Sequence, residues 1–409
     1  MTHETAVALK WLLHDVDARA GALSDMLPLL AVSIHWGVRR RDHVTGDLPR
    51  AEDLTNYKTC RQGDLVLNRM RAFQGALGIA PCDGLVSPDY SVLRLVSGCD
   101  PRWLVSMMKT PEFLGDMISR LRGIGGTESG SVRTPRINTK DLLRIKLNIP
   151  PLDEQRRIAD YLDRETAQID ALIAKQEQLI ETLRERRQAV LDTAFEALEA
   201  KRVQLRRGIR FLTSGSRGWG DYYADEGERF LRIGNLPRTN LTLRGGIQYV
   251  QIPPGVTEGS RTRLRRDDLL FSITAYLGSV AVVTDEWVGA YVSQHVALCR
   301  LDPSTFDPQF VGYFMLTTEG QDQLKLGAAG GTKVQLALDD IKALSVPLTP
   351  LRAQGKIVAS IEVQVSRIDA LIAKAEEFIG LARERRAALI AEAVTGRIDV
   401  STGKTRGGA

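Results

Sequence analysis

The chain repeats one of its own segments almost half a chain length further on. The heptapeptide Ile-Asp-Ala-Leu-Ile-Ala-Lys occupies residues 169–175 and again residues 368–374, an offset of 199 positions in a chain of 409 residues. Arg-Glu-Arg-Arg recurs at the same offset, at 184–187 and 383–386. Solenoid repeats are only tens of residues long, so this period indicates a duplicated half-molecule. Such a chain offers two similar surfaces to a partner that is itself two-fold, such as duplex DNA or a pair of identical subunits.

Both repeat segments are predicted to form long helices. No glycine or proline occurs between Asp153 and Ala200, and the second copy extends from about Arg352 to Val394. Gly355 and Gly380 each weaken the second helix by about 1 kcal/mol relative to alanine. Apolar residues recur in both copies at spacings of three, four and seven, as in a coiled-coil seam. We expect the two helices to pair as an antiparallel coiled coil; the alternative is that each helix packs only on its neighbouring globular block.

The apolar stripes are assigned as follows. The first comprises Leu162, Ile169, Leu172, Ile173, Leu179, Ile180, Leu183 and Val190. The second comprises Ile361, Val365, Ile368, Leu371, Ile372, Phe378, Ile379, Leu389 and Ile390.

Two globular blocks alternate with the helices and are rich in glycine, proline and short apolar runs. Strands are predicted at 64–67, 91–96, 268–271 and 279–283, and helical segments at 104–121 and 308–324. The fold class is therefore α+β, with two mixed α/β domains and two long helices. The expected boundaries are 1–148 (first domain), 149–200 (first helix), 201–346 (second domain), 347–396 (second helix) and 397–409 (flexible C-terminal tail). The first domain shows little strand signal before Trp36, so we expect it to be shortened.

Charge is unevenly distributed along the chain. The first domain carries 20 Lys+Arg against 16 Asp+Glu and the second 18 against 15, whereas residues 149–200 carry 7 against 12. Mildly basic domains suit an anionic partner, and the acidic helix suits a protein partner.

Several classes of protein are disfavoured by composition. No stretch approaches the ~20 apolar residues of a membrane span, and the N-terminus lacks a signal-peptide pattern, so a cytoplasmic location is expected. The cysteines Cys60, Cys82, Cys99 and Cys299 are scattered without metal-ligand spacing, and no metal site is predicted. No phosphate-binding loop or other catalytic constellation is present, which predicts that the chain is not an enzyme.

The strings that resemble a known family begin at the start of each repeat. Residues 149–155, Ile-Pro-Pro-Leu-Asp-Glu-Gln, precede the first helix, and residues 346–351, Val-Pro-Leu-Thr-Pro-Leu, are a decayed second copy. Gly-Asp-Leu-Val-Leu at 63–67 and Phe-Leu-Arg-Ile-Gly-Asn-Leu at 230–236 are further landmarks. Together they resemble the specificity (S) subunit of type I restriction–modification enzymes, and the resemblance covers essentially the whole chain.

The resemblance implies a division of labour. Each target-recognition domain would recognise one half of a bipartite duplex DNA sequence, while the helices would set the spacing and dock two methyltransferase (M) subunits. Restriction (R) subunits would join them. S-adenosylmethionine, Mg and ATP would belong to those partners, and this chain would hold no cofactor. Subunit docking is assigned to the motif residues Asp153, Glu154, Gln155 and Gln354.

Candidate DNA contacts are basic residues that neighbour aromatic residues and glycines. Arginine can bind guanine edges bidentately or hold phosphates without sequence preference. The alternative for any one of these residues is an ordinary solvated charge, and His295 beside Gln294 is interpreted as a buried structural histidine. The candidates are Trp36, Arg39, Arg40, Arg69, Arg71, Arg133, Arg217, Trp219, Tyr222, Arg263, Arg265 and Lys333.

Two other interpretations stay open. In the first, the chain is a stand-alone pseudo-dimeric DNA-binding protein. In the second, it is a coiled-coil scaffold whose domains bind proteins. The Arg-Glu-Arg-Arg runs are interpreted as solvated helix faces or as partner contacts.

Overall fold

The chain forms two compact units. The structure, a computed structural model, describes residues 6–44, 53–96, 98–121, 135–256, 259–327 and 335–405. Unit 1 comprises Met1–Lys175 and Phe378–Ala409, and unit 2 comprises Gln176–Glu377. Two long helices, α4 (Leu152–Glu196) and α8 (Leu351–Val394), each contribute one part to either unit.

Unit 1 begins with short strands followed by short helices. The strands are β1 (Val7–Ala8), β2 (Leu13–Val16), β3 (Leu30–Ser33), β4 (Gly37–Arg40), β5 (Lys58–Cys60), β6 (Leu65–Asn68), β7 (Leu77–Ile79), β8 (Gly84–Val86), β9 (Tyr90–Leu95) and β10 (Lys146–Leu147). The helices that precede α4 are α1 (Pro101–Met108), α2 (Pro111–Ile118) and α3 (Thr139–Leu142). Asp100 and Thr110 cap α1 and α2, and a proline occupies the first turn of each helix.

The core of unit 1 lies between an antiparallel sheet and the helices. The sheet has the order β2-β9-β6-β7, with Leu65 opposite Leu93, while β3 pairs with β4 and β5 with β8. Leu65, Leu93 and Trp103 of α1 are buried in one cluster with Ile158 of α4 and Ala393 of α8. The helix pair is therefore part of the domain core.

Unit 2 repeats this order of elements. Its strands are β11 (Lys201–Gln204), β12 (Ile209–Ser214), β13 (Tyr223–Ala224), β14 (Glu228–Leu231), β15 (Gln248–Val250), β16 (Leu269–Ser272), β17 (Val280–Val282), β18 (Tyr291–Val292), β19 (Val296–Leu301) and β20 (Ser345–Leu348). Its short helices are α5 (Pro308–Met315), α6 (Thr318–Gly327) and α7 (Leu338–Ala343). Two further strands, β21 (Ile398–Asp399) and β22 (Lys404–Thr405), follow α8 in unit 1.

The main sheet of unit 2 has the same topology as that of unit 1. Its order is β12-β19-β16-β17, and Leu269 lies opposite Cys299. A second sheet, β13-β15-β14-β18, has no four-stranded counterpart among the described residues of unit 1. The duplicated scaffold therefore carries different additions in the two units.

Each unit contains a paired stretch of α4 and α8. In unit 2, Arg184 approaches Glu376 and Arg187 approaches Asp369, so the residue numbers rise along one helix as they fall along the other. In unit 1, Asp170 pairs with Arg386. The predicted antiparallel coiled coil is confirmed in both units, and the alternative, that each helix packs only on its neighbouring globular block, is not.

Part of the predicted apolar stripe does not lie in the buried seam between the helices. Ile173 and Ile180 are buried, whereas Leu172 and Leu179 are 48% and 43% exposed. Their repeat counterparts, Leu371 and Phe378, are also exposed. The inclusion of these four residues in the apolar seam was therefore wrong.

Two smaller expectations also needed correction. Strands β1, β2 and β3 precede Trp36, and β2 pairs with β9, so strand structure is present where little was expected. The predicted helical segments 104–121 and 308–324 are each split in two, because Thr110-Pro111 ends one helix and caps the next, and Thr317 does the same in unit 2. Within the described ranges, no helix has both the length and the apolar character needed to cross a membrane.

Candidate nucleic-acid interface

A β-hairpin of unit 1 presents three of the predicted DNA contacts. Trp36 lies in the turn between β3 and β4, and the guanidinium of Arg39 lies over its ring at 5.8 Å from the centroid. The hairpin packs closely on β7, because a Cβ at Gly78 would lie 2.9 Å from the backbone nitrogen of Val38. Arg40 is exposed and bonds Asp42. The hairpin is thus held firmly while its basic side chains face solvent.

The two arginines that follow β6 differ in how far the protein already holds their side chains. Arg69 is half-buried, and its Nε donates to the carbonyl oxygen of Asp89 at 2.6 Å. Arg71 is exposed at the start of a 3-10 turn. Arg71 is therefore the better placed of the two to meet an external anion.

In unit 2 the candidate surface rests on a buried aromatic cluster. Trp219 is 2% exposed and packs against Tyr291 and Phe230, with ring centroids 5.0 and 5.6 Å away. Tyr222 lies half-buried at the edge of this cluster. Direct DNA contact by Trp219, predicted from the sequence, conflicts with this burial, because the ring already supports the sheet β13-β15-β14-β18.

Arg263 lies on the outer side of that cluster. Its guanidinium lies 4.9 Å from the ring centroid of Tyr291, and its Nε donates to the Tyr291 hydroxyl at 2.9 Å. Glu228 accepts a second bond at 2.9 Å from Nη2. An exposed arginine fixed in this way is pre-oriented for a planar or anionic ligand.

The remaining candidates are less well defined. Arg217 and Arg265 are exposed on the surface of unit 2. Arg133 and Lys333 lie outside the described residues.

Residues that the sequence did not single out add to the unit 2 surface. Tyr276 is an exposed aromatic with a left-handed backbone (φ 60°), and Arg238 lies over its ring at 4.5 Å. His295, expected to be buried, is exposed and bonds Thr274. Non-glycine residues in this left-handed region cluster at functional sites, and only the backbone geometry reveals this one.

Both units share a carboxylate–arginine clamp that the sequence only hinted at. Asp64 accepts two hydrogen bonds from Arg94, at 2.9 and 2.8 Å, and Asp268 accepts two from Arg300, at 2.7 and 2.8 Å. Both aspartates are buried in the turn before an inner strand of the main sheet, β6 in unit 1 and β16 in unit 2. The signal in the sequence was the recurring aspartate of Gly-Asp-Leu-Val-Leu and Asp-Asp-Leu-Leu-Phe.

The motif glutamines join each domain to its long helix. Gln155 accepts from the backbone N–H of Asp100 and donates to the carbonyl of Pro150, both at 2.8 Å. Gln354 accepts from the N–H of Asp307 at 2.8 Å and donates to Thr305 and Thr349. Both side chains are buried, so their bonds are made within the chain.

The acidic motif residues are more accessible than the glutamines. Asp153 is exposed and Glu154 half-buried, both in the first turn of α4. Of the four predicted docking residues, Asp153 is therefore the one most open to a partner.

Three of the four cysteines, Cys60, Cys99 and Cys299, are buried thiols. Burial raises the pKa of Cys60 and of Cys299 to about 12, and that of Cys99 to about 11. Thiols that stay protonated are poor nucleophiles. In the part of the chain that the structure describes, no group of three or more His, Cys, Asp or Glu side chains is arranged to hold a metal ion.

Comparisons with known proteins point to one family. Residues 109–182 and 234–377, more than half of the chain, match the type I restriction modification DNA specificity domain. The chain is 22% identical over 299 residues to the type I restriction enzyme EcoBI specificity subunit of Escherichia coli, covering 66% of this chain and 62% of that protein. It is 25% identical over 288 residues to the EcoKI specificity subunit of Escherichia coli strain K12, covering 62% and 58%. The matches span about three fifths of those relatives.

A solved structure shares the fold. A chain from a study of complex assembly and conformational transition of the type I R-M system superposes with a TM-score of 0.67. The superposition covers 95% of this chain and 97% of that chain, at 16% identity.

Proposed function

The chain belongs to the family of type I restriction–modification DNA specificity proteins, and from that premise we propose that it is the DNA-specificity subunit of a type I restriction–modification complex. Each unit recognises one half of a bipartite duplex target. The observation that carries this proposal is a common scaffold with divergent surfaces. The Asp64–Arg94 and Asp268–Arg300 clamps are alike, whereas the Trp36 hairpin and the Arg263–Tyr291 surface are not.

We propose further that α4 and α8 set the spacing between the half-sites and dock two methyltransferase subunits. Exposed apolar side chains on a helix pair support a protein partner. Unit 1 exposes Leu172 and Phe378, and unit 2 exposes the counterparts Leu371 and Leu179. Two equivalent apolar pairs suit two copies of one partner.

The chemistry is assigned to the partners. In this proposal the methyltransferase subunits use S-adenosylmethionine to methylate adenine N6, and restriction subunits use ATP and Mg to cleave unmodified DNA. This chain contributes recognition and holds no cofactor. The complex acts in the cytoplasm, where the DNA lies.

The test is to co-express the chain with its cognate methyltransferase and to map methylated adenines across the host genome. We expect a split motif, two short specific halves around a fixed gap. Replacing residues 201–346 with the corresponding domain of another family member should change one half only.

Two other outcomes have distinct meanings. A stable complex that modifies no motif would indicate that one unit has lost recognition. Failure to bind any methyltransferase would contradict the proposal and would favour a stand-alone DNA-binding protein or a scaffold.

A further inference from the structure

A cleft in unit 1 gathers cationic side chains from three elements. The cleft has a volume of about 340 Å³ and lies among the β3–β4 hairpin, β7, α1 and the helix pair. Arg39, Lys109 and Arg386 line it, with Asp170 as the one carboxylate in its lining. Counting His35 as neutral, the lining carries three positive charges and one negative charge, a net of +2.

Lys109 is the least satisfied of these groups. It lies at the C-terminal end of α1, and among the described residues its ammonium has no hydrogen-bonded or ion-paired partner. Burial, aided by the charge of Arg386, lowers the pKa of Lys109. A charged group taken out of water without an acceptor is costly, so a ligand that supplies an acceptor would stabilise it.

In unit 2 the equivalent place is the junction where α5 and α6 meet α4, and the protein's own side chains fill it. Counted from the capping aspartates of α1 and α5, the counterpart of Lys109 is Leu316, which is buried in the core. There Gln188 donates to the carbonyl of Leu316 at 3.1 Å. The carboxylate of Asp192 accepts from the backbone N–H and from the hydroxyl of Thr318, the first residue of α6.

The helix positions that fill the junction in unit 2 are small in unit 1. At the repeat offset of 199, the counterparts of Gln188 and Asp192 are Ala387 and Ala391. Relative to unit 2, unit 1 therefore has a lysine in place of a leucine at the end of α1. It also has alanines on α8 in place of two polar side chains on α4. The exchange adds a cation and removes the groups that would neutralise it or occupy its space.

We propose that the unit 1 cleft is a phosphate-binding site in which Lys109, Arg39 and Arg386 hold one phosphate group. Three donors on three separate elements suit a group with several outward oxygens, whereas a carboxylate offers two. The net charge of +2 matches the −1.5 to −2 of a phosphate monoester at neutral pH. The phosphate comes either from a free phosphate compound or from a DNA backbone, and the experiment separates the two sources.

The site is defined by unit 1 alone and does not depend on the proposed function. Arg386 is already oriented by Asp170, whose Oδ1 accepts from its Nε at 2.9 Å. Arg39 is oriented by the ring of Trp36. The cleft is thus partly organised before any anion enters.

The test is calorimetric titration of the full chain with inorganic phosphate at constant ionic strength. We expect saturable binding at one site, weakened about tenfold or more in Lys109→Leu and in Arg39→Gln, because each removes a charge-assisted hydrogen bond. Leucine is chosen because unit 2 accommodates it at the equivalent position. Lys140→Ala, which removes an exposed lysine of α3 outside the cleft, should leave binding unchanged.

Further measurements decide where the phosphate group comes from and whether the site exists. Duplex DNA that displaces bound phosphate identifies the backbone as the source, whereas simultaneous binding identifies a free phosphate; both support the site. If Lys109→Leu fails to fold, Arg39→Gln alone decides. The absence of saturable binding, equal weakening by Lys140→Ala, or tighter binding of an acidic peptide than of phosphate would each overturn the proposal.

Discussion

Arg187 donates a hydrogen bond through Nε to Oδ1 of Asp369 at 3.0 Å, joining α4 to α8 within unit 2. Unit 1 contains the image of this bond, from Arg386 to Asp170 at 2.9 Å. The donors are 199 residues apart, and so are the acceptors. The two copies differ in burial, since the side chain of Arg187 is 8% exposed and that of Arg386 is 36% exposed.

The first prediction concerns the cost of breaking this pair from either side. Asp369→Ala should destabilise unit 2 by roughly 2–3 kcal/mol, because it leaves a buried guanidinium unpaired. Arg187→Leu should be nearly neutral, because the carboxylate of Asp369 that it leaves behind is 43% exposed to water. Asp170→Ala in unit 1 is the matched control and should cost less than about 1 kcal/mol, because Arg386 reaches solvent. Hydrogen exchange of the helix peptides measures each value. Equal costs for Asp369→Ala and Asp170→Ala would contradict the argument from burial.

The second prediction concerns acid stability. Burial opposes ionisation of Asp100, but hydrogen bonds from Arg102 and from the N–H groups of Arg102 and Trp103 outweigh it and lower the pKa of Asp100 below 3.8. Its stabilisation is therefore complete above the unfolded pKa of about 3.9 and is lost as pH falls through the folded value.

The test replaces the charge and keeps the cap. Asp100→Asn should cost roughly 1–2 kcal/mol at pH 7 and flatten the stability of unit 1 below pH 4. Asn still caps helices well, so the difference reports the charge. Asp116→Asn, on the exposed surface of α2, is the control. Hydrogen exchange of unit 1 peptides between pH 2.5 and 7 provides the readout, and parallel curves for wild type and Asp100→Asn would refute the assignment.

The third prediction separates the buried motif glutamines from the acidic residues beside them. Gln354→Met should destabilise unit 2 by roughly 2–4 kcal/mol, because it leaves the N–H of Asp307 and two carbonyls without partners. Asp153→Ser should leave stability within about 0.5 kcal/mol and weaken methyltransferase binding. Urea unfolding and a pull-down assay measure the two effects. A Gln354→Met protein of native stability would show that these bonds are dispensable.

The fourth prediction assigns one half of the DNA target to each unit. Arg263→Ala and Arg71→Ala should each weaken DNA binding by about 1–3 kcal/mol, because a bidentate arginine–base contact contributes about that much. Each should relax sequence preference in a different half of the methylated motif. Lys342→Ala, an exposed helix position bonded to Asp339, is the control. Loss of preference in both halves from one substitution would contradict the assignment.

The fifth prediction tests the exposed apolar pairs as docking surfaces. The double variant Leu179→Ser/Leu371→Ser should keep its stability, since both side chains face solvent, and should weaken binding of one methyltransferase subunit about tenfold. Native mass spectrometry would then show one bound subunit where the wild type binds two. Leu326→Ser, which removes a 75% exposed leucine of α6, is the matched control. Unchanged occupancy in the double variant would remove these residues from the docking surface.

The sequence predicted the helix pair but not the phase of its seam. Leu172 and Ile173 are both apolar, as are Leu179 and Ile180, so either set satisfies the heptad spacing. The structure buries the isoleucines and leaves the leucines exposed. The same phase brings Arg187, the last residue of an Arg-Glu-Arg-Arg run interpreted as a solvated face or a partner contact, into the buried seam.

Candidate binding residues were harder to predict than the fold. Arg39 and Arg263 are exposed as expected, yet Trp219 is buried beneath the surface it was expected to form. A tryptophan beside an arginine and glycines has the same local pattern in either place. Only the long-range contacts with Phe230 and Tyr291 distinguish the two cases.

The sequence by itself determined the duplication, the order of domains and helices, and the family, because these depend on local periodicity and on motifs read along the chain. The tertiary structure decided which side chains of each repeat are buried, paired or free. Lys109 and Leu316 illustrate the reason: they occupy equivalent positions, but their surroundings come from residues nearly 300 and more than 100 positions away. Burial and electrostatics depend on such distant neighbours, and a single chain position does not encode them.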